Sequence, residues 1–354
     1  MSTVPPHSSV GATEVRGAHL VGSVNLPDAE TVLRTVGAHL GDRMRRIPDG
    51  EVGERFYWIQ FQTRRFDTIA GLSRLPIEPF FLRDTFDGRP FRVDAGVQAA
   101  DLVFPDLGYA SAALESFATF ARLVDDGVLA PATRFQVSLP TPAAIAGAFI
   151  VPEDRAAFEA AYERALLGEL ARIVDGIPHE RLAIQWDTAV EFALLEGRIE
   201  PWFTDVLDGV VERSIRQARA VPDDVEVGFH LCYGDVEEHH FVQPADAGWL
   251  AGVTRGIVEG AGRRISWVHL PVPIDRDDAE FFSPLRDVAF PETTELYLGL
   301  LHHEDGEEGA RRRIAAASTA QARFGVATEC GFGRGPSERT TGLLDLHAAV
   351  ADAW

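Results

Sequence analysis

The two cysteines of the chain, Cys232 and Cys330, lie in short segments that could bind a metal. Residues 227–235 read VGFHLCYGD, which places His230 two residues before Cys232. Residues two apart on an extended strand point to the same face, so the imidazole and the thiol can act together. Zinc readily binds thiolates and imidazoles, and three protein ligands with a fourth position open form its catalytic arrangement. The pattern therefore predicts a zinc site held by His230, Cys232 and Cys330.

The two cysteines could also serve as buried apolar residues or as a disulfide. An isolated cysteine is more often a small buried hydrophobe than a ligand. A single disulfide is allowed by count, but residues 1–18 contain no apolar run of signal-peptide length, and thiols in the cytosol stay reduced. Because both cysteines end predicted strands and one belongs to an H-x-C pair, we favour the metal site.

The elements that must position these residues follow a repeating pattern. Eight short β-rich runs are each followed by a polar or glycine-rich end and then by a helix-like stretch, which is typical of parallel β/α units. Eight such units predict an α/β fold of the (β/α)8 TIM-barrel type, in one domain. The predicted strands are 19–24, 44–49, 134–139, 182–187, 226–232, 265–270, 296–301 and 325–330.

The flanking and connecting segments complete the predicted organisation. Residues 1–18 are expected to be a flexible tail, and 19–354 form the barrel. The interval 56–133, rich in proline and aromatic residues near 75–91, is longer than one connection needs. It predicts an elaborated region after the second strand that covers the mouth of the barrel.

Composition limits the partners of the protein. The 354 residues are 46% hydrophobic and 25% charged, an ordinary globular balance. The 33 basic and 54 acidic residues give a net charge of −21, which repels nucleic-acid phosphates and anionic lipids. No window approaches a membrane span. We expect a cytoplasmic protein that binds neither nucleic acid nor membrane, and a homo-oligomer is left open.

Barrel enzymes place their active sites at the carboxyl ends of the strands. At the strand ends of this chain stand side chains able to bind metal, substrate or protons. These are Ser23, Glu51, Asp187, His230, Cys232, His269, His302 and Cys330.

Four segments carry a resemblance to a known family. HLCYGD at 230–235, IQWD at 184–187, PDGE at 48–51 and ECGFG at 329–333 resemble motifs of the cobalamin-independent methionine synthases, in their carboxyl-terminal catalytic barrel. That family lies within the uroporphyrinogen decarboxylase/methionine synthase-like superfamily, and the likeness extends over nearly the whole chain. It implies that the family's zinc-binding histidine and two cysteines correspond to His230, Cys232 and Cys330.

The chain departs from the family at two positions. Where the family has a glutamate as a further zinc ligand, the segment ISWVHLPVP places His269. Histidine is a competent zinc ligand, so His269 is interpreted either as a fourth ligand or as a general base. Methionine synthases also carry an aspartate–glutamate pair where this chain has Asp187 and Thr188, which puts recognition of an amino-acid ammonium group in doubt.

The chemistry implied is transfer of a methyl or other alkyl group to or from a small-molecule thiol. Zinc activates such a thiol as a zinc-bound thiolate, which then attacks the electrophilic carbon of an alkyl donor. Asp187, Glu51 and His269 are the candidate catalytic residues, for proton transfer or for holding the substrate.

Further polar or aromatic residues near the strand ends are candidate substrate contacts. Arg and Trp at such positions are as often packed or solvated as functional, and a strand-end histidine can simply belong to a solvated loop. The candidates are Ser23, Glu54, Arg55, Trp58, Glu191 and His302.

Three alternative functions remain. An epoxide-opening thiol transferase, similar to epoxyalkane:coenzyme M transferase, would keep the zinc chemistry and use a low-molecular-weight thiol. A metal-free uroporphyrinogen-decarboxylase-like enzyme would need several convergent arginines for a polyanion, and the strand ends are instead rich in His, Cys, Asp and Glu. A zinc-storage protein is the third, disfavoured by the acidic residues at several strand ends.

Overall fold

The computed structural model describes residues 13–234 and 240–354. Strands and helices alternate along most of this part of the chain. The strands are β1 Glu14–Ala18, β2 Arg46–Pro48, β3 Leu72–Arg74, β4 Phe81–Leu82, β5 Phe86–Asp87, β6 Phe91–Val93, β7 Arg134–Pro140, β8 Leu182–Asp187, β9 Glu226–His230, β10 Trp267–Pro271, β11 Glu295–Leu301 and β12 Arg323–Thr328.

The helices follow the strands in most units. They are α1 Ala29–Leu40, α2 Gln62–Phe66, α3 Tyr109–Asp125, α4 Pro142–Phe149, α5 Arg155–Gly176, α6 Val190–Leu195, α7 Val206–Ala220, α8 Gly248–Gly260, α9 Ala279–Phe282, α10 Gly306–Ala317 and α11 Thr340–Val350. Short 3-10 helices occur at Gly41–Arg43, Gly53–Tyr57, Ala99–Asp101, Pro152–Asp154, His179–Arg181, Ser283–Asp287, Phe332–Arg334 and Ser337–Arg339.

Eight strands form one parallel sheet, in the order β1-β12-β11-β10-β9-β8-β7-β2. The two edges approach each other, because Ser23 and Gly50 form an isolated parallel bridge and the Val24 N–H donates to the Gly50 carbonyl at 3.0 Å. Arg46 of β2 also reaches Glu226 of β9 at 2.6 Å, a strand that is not its neighbour. The sheet is therefore curled and surrounded by helices, which is compatible with the predicted TIM-like fold.

The pattern of buried side chains explains why these segments form strands and helices. All six residues of β8, LAIQWD, are buried, as expected of a parallel strand covered on both faces. Helix α1 buries Val32, Val36 and Leu40 at helical spacing, and Asp28 caps it by accepting from the Thr31 N–H at 2.7 Å.

The first strand differs from its prediction. The apolar run 19–24 is buried but pairs only at isolated points, whereas Glu14–Ala18 forms β1 beside β12. The predicted tail boundary at residue 18 is therefore wrong for residues 14–18, because this half-exposed strand has a polar composition that resembles a tail. Residues 1–12 lie outside the described part of the chain.

The segment between β2 and β7 contains α2, α3 and two small antiparallel sheets. Strand β3 pairs with β6, and β4 pairs with β5. Aromatic residues Tyr57 and Phe86 pack edge to face with ring centroids 5.9 Å apart, which joins β5 to the 3-10 helix Gly53–Tyr57 that follows β2. Its role as a cover over the barrel mouth stays a prediction.

The length and polarity of the helices bear on membrane insertion. Within residues 13–234 and 240–354, no helix is both long and apolar enough to cross a lipid bilayer.

Candidate functional site

His230, Cys232 and Cys330 meet at the carboxyl end of the curled sheet. His230 ends β9, Cys232 follows it by two residues, and Cys330 follows β12 by two residues. The Cys330 Sγ lies 3.6 Å from the His230 Nε2 and 3.9 Å from the Cys232 Sγ. The three donor atoms lie within 4.8 Å of one another. Two strands that are not neighbours in the sheet thus bring the three predicted ligands together.

The separations among these atoms allow a test for zinc. Tetrahedral zinc, with Zn–S bonds of about 2.3 Å and Zn–N bonds of about 2.0–2.1 Å, separates two sulfurs by about 3.8 Å and a sulfur from a nitrogen by about 3.5 Å. The observed 3.9 and 3.6 Å agree with this geometry. A disulfide needs an S–S distance of about 2.05 Å, so the two thiols are not bonded to each other. The donor set fits a zinc ion.

His269 does not join the three donor atoms. Its Nδ1 lies 2.7 Å from the Nδ1 of His230, and its Nε2 lies 2.9 Å from the Thr328 carbonyl oxygen. Both ring nitrogens are therefore engaged within the barrel, and His269 is fully buried. These contacts support neither sequence interpretation of His269, as a fourth metal ligand or as a general base, and both stay predictions.

A small cavity lies against the three donor residues, and two carboxyl groups face it from two other strands. Glu51 follows β2 and Asp187 ends β8. Burial raises the pKa of Glu51 to about 7, and burial together with the nearby Glu51 raises the pKa of Asp187 well above its usual range. At neutral pH this pair can therefore hold and exchange a proton.

The local backbone presents Glu51 to the cavity. Gly50 and Glu51 have φ values of 82° and 50°, in the left-handed region that a non-glycine residue rarely adopts. The Asp49 carboxylate stabilises the turn by accepting from the Glu51 N–H at 3.0 Å, and it is itself held by Arg55 at 2.6 Å. Strain of this kind is concentrated at functional sites.

Two of the six predicted substrate residues line this cavity, Ser23 and Trp58. Ser23 lies where the segment after β1 meets Gly50. The Trp58 indole forms a hydrogen bond with Asp187. This hydrogen bond opposes the rise in the pKa of Asp187.

The remaining predicted substrate residues before β9 have different contacts. Glu54 forms an ion pair with Arg65 at 2.6 Å, Arg55 binds Asp49, and Glu191 accepts from Thr141 and from the Ala189 N–H. None of Glu54, Arg55 and Glu191 lines the cavity beside the cysteines. Spacing along the sequence could not show these contacts. Each charged side chain pairs with a residue in another segment or turn.

His302 lines an adjoining cavity, which shares Gly234, Cys330 and Gly331 with the first. Its Nε2 lies 2.9 Å from the Val272 carbonyl oxygen, and burial lowers its pKa to about 4. His302 is therefore a neutral imidazole in the cavity that adjoins the one lined by Glu51.

Sequence reasoning missed Arg334 and Thr188 as site residues. Arg334 lines the first cavity, and its positive charge lowers the pKa values of both Glu51 and Asp187. Thr188 also lines the cavity, and its hydroxyl donates to the His230 carbonyl at 3.2 Å. The signal for Arg334 was its position four residues after Cys330, in the turn GFGR.

Comparison with solved structures identifies proteins with a similar fold. A B12-independent methionine synthase from Shewanella sp. W3-18-1, solved in complex with selenomethionine, is 13% identical with a TM-score of 0.59, over 95% of this chain and 96% of that one. A putative vitamin-B12 independent methionine synthase from Listeria monocytogenes is 14% identical with a TM-score of 0.55, over 97% and 100%. No protein-family model and no curated protein matches the chain. At this identity the likeness shows the fold alone.

Proposed function

We propose that this protein is a zinc-dependent transferase that moves a methyl or other alkyl group to or from a small-molecule thiol. The observation that carries the proposal is the convergence of one imidazole and two thiols within 4.8 Å, at a cavity that also holds two carboxyl groups. His230, Cys232 and Cys330 would hold the metal. When bound, zinc would supply a Lewis acid that lowers the pKa of a substrate thiol.

The residues around the cavity have complementary roles in this proposal. The Glu51 and Asp187 carboxyl groups, with raised pKa values, would accept the thiol proton or bind a substrate ammonium group. Ser23 and Arg334 would bind an acidic group of the same substrate, because a hydroxyl and a guanidinium both donate hydrogen bonds. The cavity combines apolar side chains with a few polar groups, which is the usual character of a small-molecule site.

The alkyl donor would occupy the adjoining cavity, beside His302. The two cavities share Cys330, so reactants in them would approach the metal position from two sides. Similarity in fold to methionine synthases supports a methyl donor, while the same arrangement is compatible with an epoxide donor.

A metal-free decarboxylase is less compatible with this site. Such an enzyme would hold a polyanion with several arginines, whereas Arg334 is the one arginine that lines the cavity within the described residues. The carboxyl groups of Glu51 and Asp187 would repel that substrate.

The test is a transfer assay on zinc-loaded protein. Small thiols, including amino thiols, are incubated with labelled methyl donors and with epoxides, and thioether formation is followed by mass spectrometry. The proposal expects a thioether product that is lost on zinc removal and restored by zinc. Asp187→Asn should slow transfer, and Asp224→Asn, an exposed control far from the cavity, should not.

Two results would contradict the proposal. One is equal activity with and without zinc. The other is decarboxylation of a porphyrinogen by well-folded protein that forms no thioether with any donor class.

A further inference from the structure

His230 and His269 are register partners on neighbouring parallel strands, β9 and β10. Their rings are tilted by 47° with centroids 4.8 Å apart, and the two Nδ1 atoms lie 2.7 Å from each other. A contact this short between two imidazole nitrogens requires one proton, with one ring donating and the other accepting.

The Thr328 carbonyl determines which ring donates. Its oxygen lies 2.9 Å from the His269 Nε2 and can only accept, so this nitrogen carries a proton. His269 is fully buried, and burial disfavours a charged imidazole, so the ring is neutral and has one N–H. Its Nδ1 is therefore the acceptor, and the His230 Nδ1 is the donor. A neutral His230 then has its lone pair on Nε2, the atom that lies 3.6 Å from the Cys330 Sγ.

The same hydrogen-bonded chain continues to the second ligand strand. The Thr328 hydroxyl donates to the Cys330 carbonyl at 2.6 Å. One path thus runs from His230 through His269 and Thr328 to Cys330, and it joins the strand ends of β9 and β12 across β10.

We infer that His269 is a positioning residue that fixes His230 in its Nδ1–H tautomer and aims the Nε2 lone pair at the metal position. This inference rests on the proposed zinc centre. Two thiolates and a neutral imidazole would neutralise a divalent zinc ion. A neutral His269 would fix the orientation of His230 without adding charge to the site. Groups that orient a metal-binding histidine in this way typically change metal affinity by about 10–100-fold when removed.

The tautomer can be measured without metal. In zinc-free protein with ¹⁵N-labelled histidine, NMR should show a protonated Nδ1 and an unprotonated Nε2 on His230. It should also show a ¹⁵N–¹⁵N coupling across the hydrogen bond to His269. A protonated Nε2 on His230 would overturn the inference, whatever the protein does with zinc.

Variants test the consequence for metal binding. His269→Leu removes both hydrogen bonds, and we expect zinc affinity, measured by competition with a chelator, to fall about 10–100-fold. His269→Gln keeps one acceptor and one donor, and it should recover most of the affinity and the wild-type absorption spectrum with cobalt(II). His347→Leu is the control, because His347 is also fully buried and its Nδ1 contacts the Leu343 carbonyl within its own helix.

Equal zinc affinity of wild type and His269→Leu would overturn the inference while leaving the proposed function intact. Absence of zinc binding in wild type that has the expected His230 tautomer would instead contradict the proposed function. The two failures are therefore distinguishable.

Discussion

At the scale of single residues, the paired carboxyl groups make the chemistry of the site sensitive to pH. Glu51 is buried, which raises its pKa to about 7, while Arg55 and Arg334 oppose that rise. Its carboxyl group is therefore protonated below about pH 7 and ionised above it. Only the ionised form can accept a thiol proton or attract an ammonium group.

We expect kcat/KM for transfer to rise as the pH increases through about 7. Glu51→Gln cannot ionise, so it should lose this inflection, and its kcat/KM at pH 8 should fall by about 10²–10⁴-fold. The measurement is a pH–rate profile of both proteins. Glu54→Gln, three residues away but paired with Arg65, is the matched control and should keep the inflection. An unchanged profile in Glu51→Gln would show that another group controls the pH dependence.

The residue types at the site were predictable to different degrees. His230 and Cys232 were paired correctly because an i, i+2 spacing on a strand determines a shared face. The contact of His269 with His230 was not predictable, because it depends on the register between two strands 39 residues apart. The same limit applies to Glu54 and Arg55, which the sequence predicts as substrate contacts. In the structure Glu54 pairs with Arg65, and Arg55 pairs with Asp49.

At the scale of elements, the turn after Cys330 packs closely on the segment that follows β1. A Cβ added to Gly331 would lie 2.3 Å from the Ser23 Oγ and 2.9 Å from the Ser23 backbone nitrogen. Backbone atoms cannot give way as the tip of a side chain can. Glycine is therefore required here to keep Cys330 and Ser23 at one cavity.

Gly331→Ala should displace the turn that carries Cys330. We expect weaker zinc binding and slower transfer, with a smaller change in thermal stability, because the displacement acts on the metal site rather than on the core. Gly342→Ala is the control, since a Cβ there meets nothing within 4 Å and the residue lies in helix α11. Zinc affinity equal to wild type in Gly331→Ala would show that the close approach is not needed.

Element positions were predicted well where burial is continuous. The fourth predicted strand, 182–187, matches β8 because every residue of it is buried. The first strand was misplaced because β1 is partly exposed and polar, whereas the buried apolar run after it pairs only at isolated positions. Hydrophobic content thus locates the core more reliably than it locates the hydrogen-bonded ladder.

At the scale of the whole molecule, a buried ion-pair network joins distant strands at the end of the sheet opposite the site. Arg46 of β2 is 2% exposed, and it contacts Glu226 of β9 and Glu295 of β11, each at 2.6 Å. Its guanidinium also stacks over the Trp267 ring of β10 at 4.2 Å. One side chain thus links four strands, and we expect the curl of the sheet to depend on it.

Arg46→Met should therefore be strongly destabilising. Removing one partner of a buried ion pair leaves uncompensated charge and costs about 3–5 kcal/mol. The measurement is the free energy of unfolding from urea denaturation at pH 7. Arg122→Met, which breaks an exposed pair with Glu30, should cost far less. Similar losses in both variants would mean that the network does not hold the sheet closed.

Metal content shows whether His230, Cys232 and Cys330, at the ends of β9 and β12, form a zinc site. Elemental analysis of protein purified without added zinc should find about one zinc per chain, lost in Cys232→Ser and in Cys330→Ser and retained in His347→Asn. Wild-type protein that is folded but takes up no zinc, even when zinc is supplied, would contradict the claim.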